Sequence, residues 1–364
     1  MKSIIIIGGG PAGLALAAGL SKFAPNDITI IEKTNYDNIF SGEHLQAQIL
    51  PIFEQLNIPK EILFENSTPC AGRFGNWAGR SILSQSIFNP FGQDYIVHRP
   101  AFERVLADYL RTKGVNFFLG NPLRKIENGK IIIGSEVLKY DYLFDCSGRT
   151  SRKFDNQRIV FDNLLGISFY DSDGKTDNAK VVIESVKNGW WYHSSNEKMS
   201  ITTFFTDTDI YQNSSRNLQN ELDKTKVIKN YCRSLKGEPK HTSAHTSILK
   251  NSPTGIYQLG DSYFSLDPLS SQGIYKAFSQ ALQITDVFSK TSVARAMSEF
   301  YLEQKKEFFR NLRLREYFYF QGWQTYHSEF YKRRIELGLL KLSVNNRKDE
   351  KSELSAIESS NLNN

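Results

Sequence analysis

Four consecutive isoleucines, Ile4–Ile7, run directly into Gly8-Gly9-Gly10-Pro11 and then into the apolar stretch Ala12–Leu20. An unbroken apolar tetrad bounded by glycine suits a strand buried on both faces, and the residues after it predict a helix over 11–23. A second apolar run at 28–31 ends at Glu32, so this opening predicts the start of a parallel βαβ unit. Residues 44–57 predict a helix that Pro51 interrupts or bounds. Phe102, Val105, Leu106, Tyr109 and Leu110 fall at helical spacing over 101–113, behind Pro100, a residue favoured at helix starts. Val115–Leu119 and Tyr142–Asp145 read as strands. Between them Asn128-Gly129 predicts a hairpin turn joining 124–126 to 131–133.

From about 158 to 248 the pattern changes to longer strand-like segments near 163–170, 180–186, 190–194 and 199–206, with a polar helix near 215–233. This predicts an antiparallel sheet inserted into a nucleotide-binding domain whose chain resumes at Ile256–Leu259. Beyond residue 272 the chain reads as mostly helical, beginning with a helix over 274–289, and the polar residues from about 345 onward predict a frayed tail.

Composition narrows the class of protein. A chain of 364 residues can bury a substantial core as one large or two ordinary domains. No apolar run approaches the roughly 20 residues a bilayer span needs, and Ile4–Ile7 is too short for a signal-peptide core. A soluble cytoplasmic protein is expected, with no membrane partner. Cys70, Cys146 and Cys232 are odd in number and scattered, which indicates neither a disulfide framework nor a metal site. The net charge is +6, with many basic residues late in the chain. No nucleic-acid recognition motif accompanies them, so a solvated helix face is the expected reading.

Gly8, Gly10 and Gly13 fit the G-x-G-x-x-G pattern. The first glycine permits a tight turn, the second lets backbone approach a pyrophosphate, and the third lets helix and strand pack closely. With Pro11 and Ala12 they open a helix whose free N–H groups attract negative charge. Glu32, with Lys33 beside it, ends the next strand, where a carboxylate can accept hydrogen bonds from ribose hydroxyls. Far downstream, Gly260-Asp261 follows an apolar strand directly, and Asp267-Pro268 turns the chain toward Gly273-Ile274 at a helix start. Asp261 is placed to accept from a ribityl hydroxyl, and N–H groups at the helix start suit the pyrimidine edge of a flavin, where negative charge builds on reduction. The pair of motifs points to FAD.

Together with Asp145-Cys146-Ser147-Gly148, these segments resemble the FAD-dependent monooxygenases and halogenases of the para-hydroxybenzoate hydroxylase fold, over roughly residues 1–335. Ser41-Gly42-Glu43, Gly189-Trp190-Trp191-Tyr192, the Asp207/Asp209 pair and Phe330-Tyr331-Lys332-Arg333-Arg334 resemble the tryptophan-halogenase-like branch. The resemblance implies an α/β fold. A Rossmann-like FAD-binding domain would span 1–157 and 250–290, an inserted antiparallel-sheet substrate domain 158–249, C-terminal helices 291–345, and a disordered tail 346–364. It also implies non-covalent FAD held in part by Gly42, Glu43 and Arg99, with Arg73 a weaker candidate. Reduced flavin would capture molecular oxygen as a hydroperoxide that oxygenates an aromatic ring or oxidises a halide.

Two departures bear on that choice. The halogenases carry W-x-W-x-I-P and a lysine that relays hypohalous acid. Here the tryptophan stretch reads Trp190-Trp191-Tyr192-His193-Ser194-Ser195, and the corresponding lysine region, Thr68-Pro69-Cys70-Ala71-Gly72, has no lysine. The run Asp267–Ile274 and the short length resemble instead the LodB/GoxB-type flavoproteins of cysteine tryptophylquinone biosynthesis. That resemblance implies oxygen insertion into a tryptophan of a partner protein, the precursor of a quinone-cofactor oxidase. Hydroxylation of a free aromatic metabolite and a chaperone role without oxygenase activity stay open. The reductant is either NAD(P)H directly or a separate flavin reductase.

His44, beside Glu43, and His193 on the inserted sheet are candidate proton-handling residues, each with the alternative of a structural hydrogen bond. Trp190 and Tyr192 are candidate walls of a substrate cavity, although alternation along a strand makes at least one of Trp190, Trp191 and Tyr192 plain core. The aromatic stretch Phe308–Tyr331 reads either as helix packing over the sheet or as a docking surface.

Overall fold

The Ile4–Ile7 strand lies at the centre of a five-stranded parallel sheet, which explains its unbroken apolar run. The strand order is Ile256–Gln258, Tyr142–Asp145, Ile4–Ile7, Ile28–Glu32, Asn116–Leu119, and every pairing is parallel. Ile4 and Ile6 pack with Ile28, Ile30 and Phe144 against the helices Pro11–Leu20, Arg99–Thr112 and Gly273–Phe288. Ile5 and Ile7 point the other way, onto Ile131 and Ile133 of a three-stranded antiparallel meander. A central strand covered on both faces has no polar side to show. This computed structural model describes residues 2–23, 27–37, 44–85, 89–120, 123–127, 129–150, 158–174, 179–213, 217–250, 255–288 and 293–336.

The second sheet is larger than the sequence pattern predicts. Its order is Lys240–Ser243, Leu164–Asp171, Ser200–Asp207, Gly189–Ser195, Ala179–Val186, Ser67–Trp77, Asp94–Val97, His44–Leu45, with Arg80–Gln85 paired onto Ser67–Trp77. Residues 44–97 therefore build half of it, joined by a parallel pairing between Ala179–Val186 and Ser67–Trp77. The antiparallel sheet expected over 158–249 is present, and the strands of 44–97 extend it. Glycines hide the long strand Ser67–Trp77 in the sequence. Gly75 has φ +156°, and a methyl group there would lie 1.9 Å from the Ile183 carbonyl oxygen, so close strand approach requires glycine.

Two predicted helices also shrink. Over 44–57 the chain forms the short strand His44–Leu45, one 3-10 turn and the helix Leu50–Gln55; Pro51 sits in its first turn, where it breaks no hydrogen bond. The polar helix expected near 215–233 is only Leu218–Asp223 followed by a 3-10 turn at Ile228–Asn230. In that stretch Glu184 accepts three backbone N–H groups, from Lys226, Val227 and Ile228, and this holds an irregular path in place of further helix.

The nine-stranded sheet has two differently covered faces. On the outer face Trp191, Val182, Ile167 and Phe204 pack under Leu218, Leu222 and Ile228. On the inner face Trp190, Tyr192, Phe205 and Val181 pack with Tyr319, Phe330 and Tyr331. Tyr319 comes from the long helix Val293–Tyr326, and the chain continues as helix over 329–336. Buried Arg334 reaches Asp207 at 2.5 Å and its guanidinium lies 3.9 Å from the Phe330 ring centroid. The aromatic stretch thus divides: Phe308, Tyr319, Phe330 and Tyr331 are core, whereas Tyr317 and Phe320 are exposed.

Helix Pro11–Leu20 crosses helix Gly273–Phe288 at a point that tolerates no side chain on Gly19, where a methyl group would lie 1.9 Å from Thr285 Oγ1. Gly19→Ala is therefore expected to destabilise the protein by about 2 kcal/mol through overpacking. Urea unfolding of the two proteins measures this, and an unchanged midpoint would contradict the packing argument.

Candidate active site

The two glycine motifs, separated by most of the chain, meet at van der Waals distance. A methyl group on Gly260, whose φ is +69°, would lie 2.8 Å from Ala12 Cβ. A methyl group on Gly8 would lie 2.4 Å from the Cys146 carbonyl oxygen, so the Asp145–Gly148 segment closes on the same turn. One on Gly13 would lie 1.9 Å from the Gly8 carbonyl oxygen. Gly10 is different: its nearest neighbour would be an Arg99 guanidinium nitrogen at 3.9 Å, which leaves space over the turn. Gly10 caps the helix with backbone only, and Pro11 occupies the first turn. The helix N-terminus therefore presents N–H groups with no side-chain acceptor over them, flanked by a guanidinium, as a pyrophosphate requires.

Glu32 lies at the edge of this turn. It accepts from Gly9 N at 2.8 Å and from Thr34 N and Oγ1 at 2.9 and 2.8 Å. Tyr36, buried, donates to the Gly9 carbonyl at 3.0 Å. Lys33 is exposed next to Glu32. Arg99 is held from behind by buried Glu103, its Nε donating at 2.6 Å. Tyr36 and Glu103 carry no motif, and only their place in the fold gives them this supporting role.

Asp261 is anchored between two cations. Lys276 Nζ reaches it at 2.7 Å and Arg149 Nε at 2.9 Å. Arg149 also donates to the Leu266 carbonyl, and Lys276 to the Phe264 carbonyl. Desolvation opposes the charge, but Lys276 and Arg149 outweigh it and hold the Asp261 carboxyl well below the usual range. Its side chain keeps 28% of its surface open. Asp267 accepts from Leu269 N at 3.0 Å and so caps the 3-10 turn Pro268–Ser270. Ser271 adopts the left-handed region at φ 51°, Gly273 then opens the next helix with nothing within 4 Å of its Cβ direction, and Ile274 is buried behind it.

The sheet supplies the opposite wall. Leu269 packs against the inner-face cluster of Trp190 and Tyr192, so that face looks onto the Asp267–Gly273 turn. His44 lies opposite Ile96, a member of the same cluster, and shares its face. Its Nε2 meets Asp94 Oδ2 at 3.1 Å, and Asp94 also accepts from Ala47 N at 3.0 Å and Asn89 Nδ2 at 3.1 Å. Burial disfavours the Asp94 charge, yet the hydrogen bonds from His44 and Ala47 win and lower its pKa. His44 Nδ1 is buried without a hydrogen-bond partner among the described residues.

His193 is on the other face. Its Nδ1 lies 2.9 Å from Thr202 Oγ1, its ring is 5.9 Å from that of Tyr231, and burial brings its pKa down to about 4. The geometry gives it a structural hydrogen bond, away from the turn. Trp190 is fully buried, stacked on Phe205 at 4.1 Å, and its Nε1–H is committed to Tyr319, which makes it core. Tyr192 shares the inner face. Arg73 sits mid-strand opposite Ser84 and Val181. Gly42 and Glu43 lie outside the described residues.

The model of the tryptophan halogenase family matches residues 3–113. LodB of Marinomonas mediterranea, named as an FAD-dependent oxidoreductase, is 28% identical over 315 residues, covering 77% of this chain and 83% of LodB. The chain is a relative of these flavin-dependent enzymes. Among solved structures, QhpG, a peptidyl tryptophan dihydroxylase essential for tryptophylquinone cofactor biogenesis, superposes with a TM-score of 0.76 at 19% identity. That match covers 92% of this chain and 78% of QhpG. The chondrochloren halogenase CndH gives 0.79 at 18% identity, covering 92% and 85%. The fold is thus that of FAD-dependent oxygenases and halogenases: a Rossmann-like parallel sheet beside a second, larger sheet. No helix among the described residues is long and apolar enough to cross a membrane.

The Asp261 network makes a stability prediction. Lys276→Met leaves a partly buried carboxylate with one cation and is expected to cost about 3 kcal/mol at neutral pH. The folded state depresses the Asp261 pKa, so this contribution is present above the unfolded carboxylate range and is lost as pH falls. The gap between wild type and variant should therefore narrow in acid, as urea unfolding at neutral and acidic pH would show.

Proposed function

We propose that this chain is an FAD-dependent oxygenase that hydroxylates an aromatic ring, with a tryptophan side chain of a partner protein as substrate. The observation that carries the reading is the meeting of Gly8–Gly13, Asp145–Gly148 and Gly260–Gly273 at one point, faced by a sheet that places His44 on its near side. FAD, when bound and reduced, supplies the oxygen chemistry. The chain's own residues bind and orient it: the helix start at Gly10–Gly13 and Arg99 hold phosphates, Glu32 a ribose, Asp261 the ribityl chain, and Pro268, Gly273 and Ile274 frame the ring.

His44 is the proton acceptor on the facing wall. Asp94, kept charged by its own donors, takes the Nε2–H and leaves the lone pair on Nδ1, the arrangement of an oriented general base. An electron-rich indole asks little more of the protein than position and removal of one proton. The halogenation reading is disfavoured by chemistry at the corresponding position. That region, Thr68–Gly72, holds no lysine, and its Cys70 is fully buried with the thiol pushed up to about 11 by burial. Lys276, the buried lysine among the described residues, has its ammonium committed to Asp261 and Phe264. The relation to LodB and the fold shared with QhpG support a peptidyl substrate over a free metabolite.

Purified protein supplied with FAD, a flavin reductase and a co-expressed quinone-cofactor oxidase precursor should add oxygen to a precursor tryptophan, read by peptide mass. His44→Asn should lower that rate about a hundredfold with FAD content unchanged. An unmodified precursor with turnover on a small aromatic would favour the metabolite reading, and no oxygen incorporation into either would favour a chaperone. Loss of FAD or of folding in His44→Asn would make His44 structural.

A further inference from the structure

Groups from three distant parts of the chain converge on one phenol. Trp190, on the inner face of the sheet, donates its indole Nε1–H to Tyr319 Oη at 3.1 Å. Tyr319, on the long C-terminal helix, donates to Asp267 Oδ2 at 2.9 Å. The other Asp267 oxygen accepts from Leu269 N and caps the turn that leads to Gly273. All three side chains are buried, so each bond forms without competition from water. The Tyr319 ring is fixed independently, with the Trp77, Phe330 and Tyr331 rings at 6.0, 5.9 and 5.9 Å. Arg315 and Arg334 flank it at 5.6 and 5.1 Å from its centroid, and each is paired with another carboxylate, Asp162 or Asp207.

This geometry has a directional consequence. The cap on Leu269 orients the peptide groups of the Pro268–Ser270 turn, and a carboxylate can cap well only if its rotamer is fixed. Tyr319 fixes it, and Trp190 in turn orients the Tyr319 hydroxyl by taking up its lone pair. We propose that Tyr319 is a positioning residue that holds the flavin-facing turn Pro268–Gly273 in its binding shape through Asp267, with Trp190 linking it to the substrate-side sheet. The proposal rests on the reading that this turn receives the flavin ring.

The test is FAD affinity of the full chain, measured by flavin fluorescence titration at a temperature where circular dichroism shows every variant folded. Tyr319→Phe keeps the ring and its packing while removing the hydroxyl, and should raise the dissociation constant about tenfold. Asp267→Asn keeps an oxygen for Leu269 but turns an NH2 donor toward Tyr319, which loses the acceptor for its hydroxyl, and should weaken FAD similarly. The double variant should be no weaker than the worse single variant, since the Tyr319–Asp267 bond is lost in both. Unchanged affinity in Tyr319→Phe with a lowered melting temperature would mean a purely structural phenol and would overturn the proposal. So would additive losses in the double variant. Failure of the wild-type chain to bind FAD would overturn the flavin reading and the proposal together, a result distinguishable from either of those.

Discussion

The site depends on backbone brought closer than any side chain permits. Gly13 packs against the Gly8 carbonyl, Gly8 against Cys146, and Gly260 against Ala12, each at a separation where a β-carbon would collide. These contacts bring three chain segments to one point at the carboxyl end of the parallel sheet, where ligands bind in open α/β folds. The charged groups are arranged around that point. Arg99 stands over the turn, Glu32 at its edge, and the Asp261 carboxylate between Lys276 and Arg149. Without the close approach, those side chains would surround a gap too wide to act on one ligand.

Electrostatic balance separates the two ends of the cleft. On the side of the glycine turns, Arg149 and Lys276 share one carboxylate, which leaves excess positive charge beside Asp261. On the sheet side polar groups pair with one another, His44 with Asp94, Ser168 with Thr203 and Arg334 with Asp207, and His44 Nδ1 is left over. An anionic cofactor and a neutral aromatic substrate would each find the environment it needs.

Much of this was legible in the sequence because its physical cause is local. A doubly covered strand must be apolar throughout, and the Ile4–Ile7 run says so; a phosphate-binding turn needs glycines at fixed spacing, and Gly8, Gly10 and Gly13 supply them. Arg99, before Pro100 at a helix start, is implied by the family resemblance alone, and the structure places it near Gly10. What escaped the sequence depends on long-range pairing. Ser67–Trp77 has no alternation because glycines serve its neighbours, and nothing local tells that residues 44–97 share a sheet with residues 164–207. The two histidines illustrate the same limit. His44 and His193 look alike in sequence, and only strand parity puts one on the inner face and the other beneath Tyr231. Asp94, Tyr319 and Lys276 belong to no recognisable spacing, since their roles arise from partners 50, 52 and 15 residues away.

The parallel pairing of Ser67–Trp77 with Ala179–Val186 also orders events during synthesis. A ribosome releases the His44–Val97 strands well before their partner, so these strands must wait with an unsatisfied edge while the intervening meander and parallel sheet are made. That wait makes the nascent chain a candidate for chaperone capture and for intermolecular strand pairing. It also means that the larger sheet cannot be excised as a contiguous fragment. Its two halves are separated along the chain by the strands Asn116–Leu119 and Tyr142–Asp145 of the smaller one, and the two sheets are inherited as a single unit.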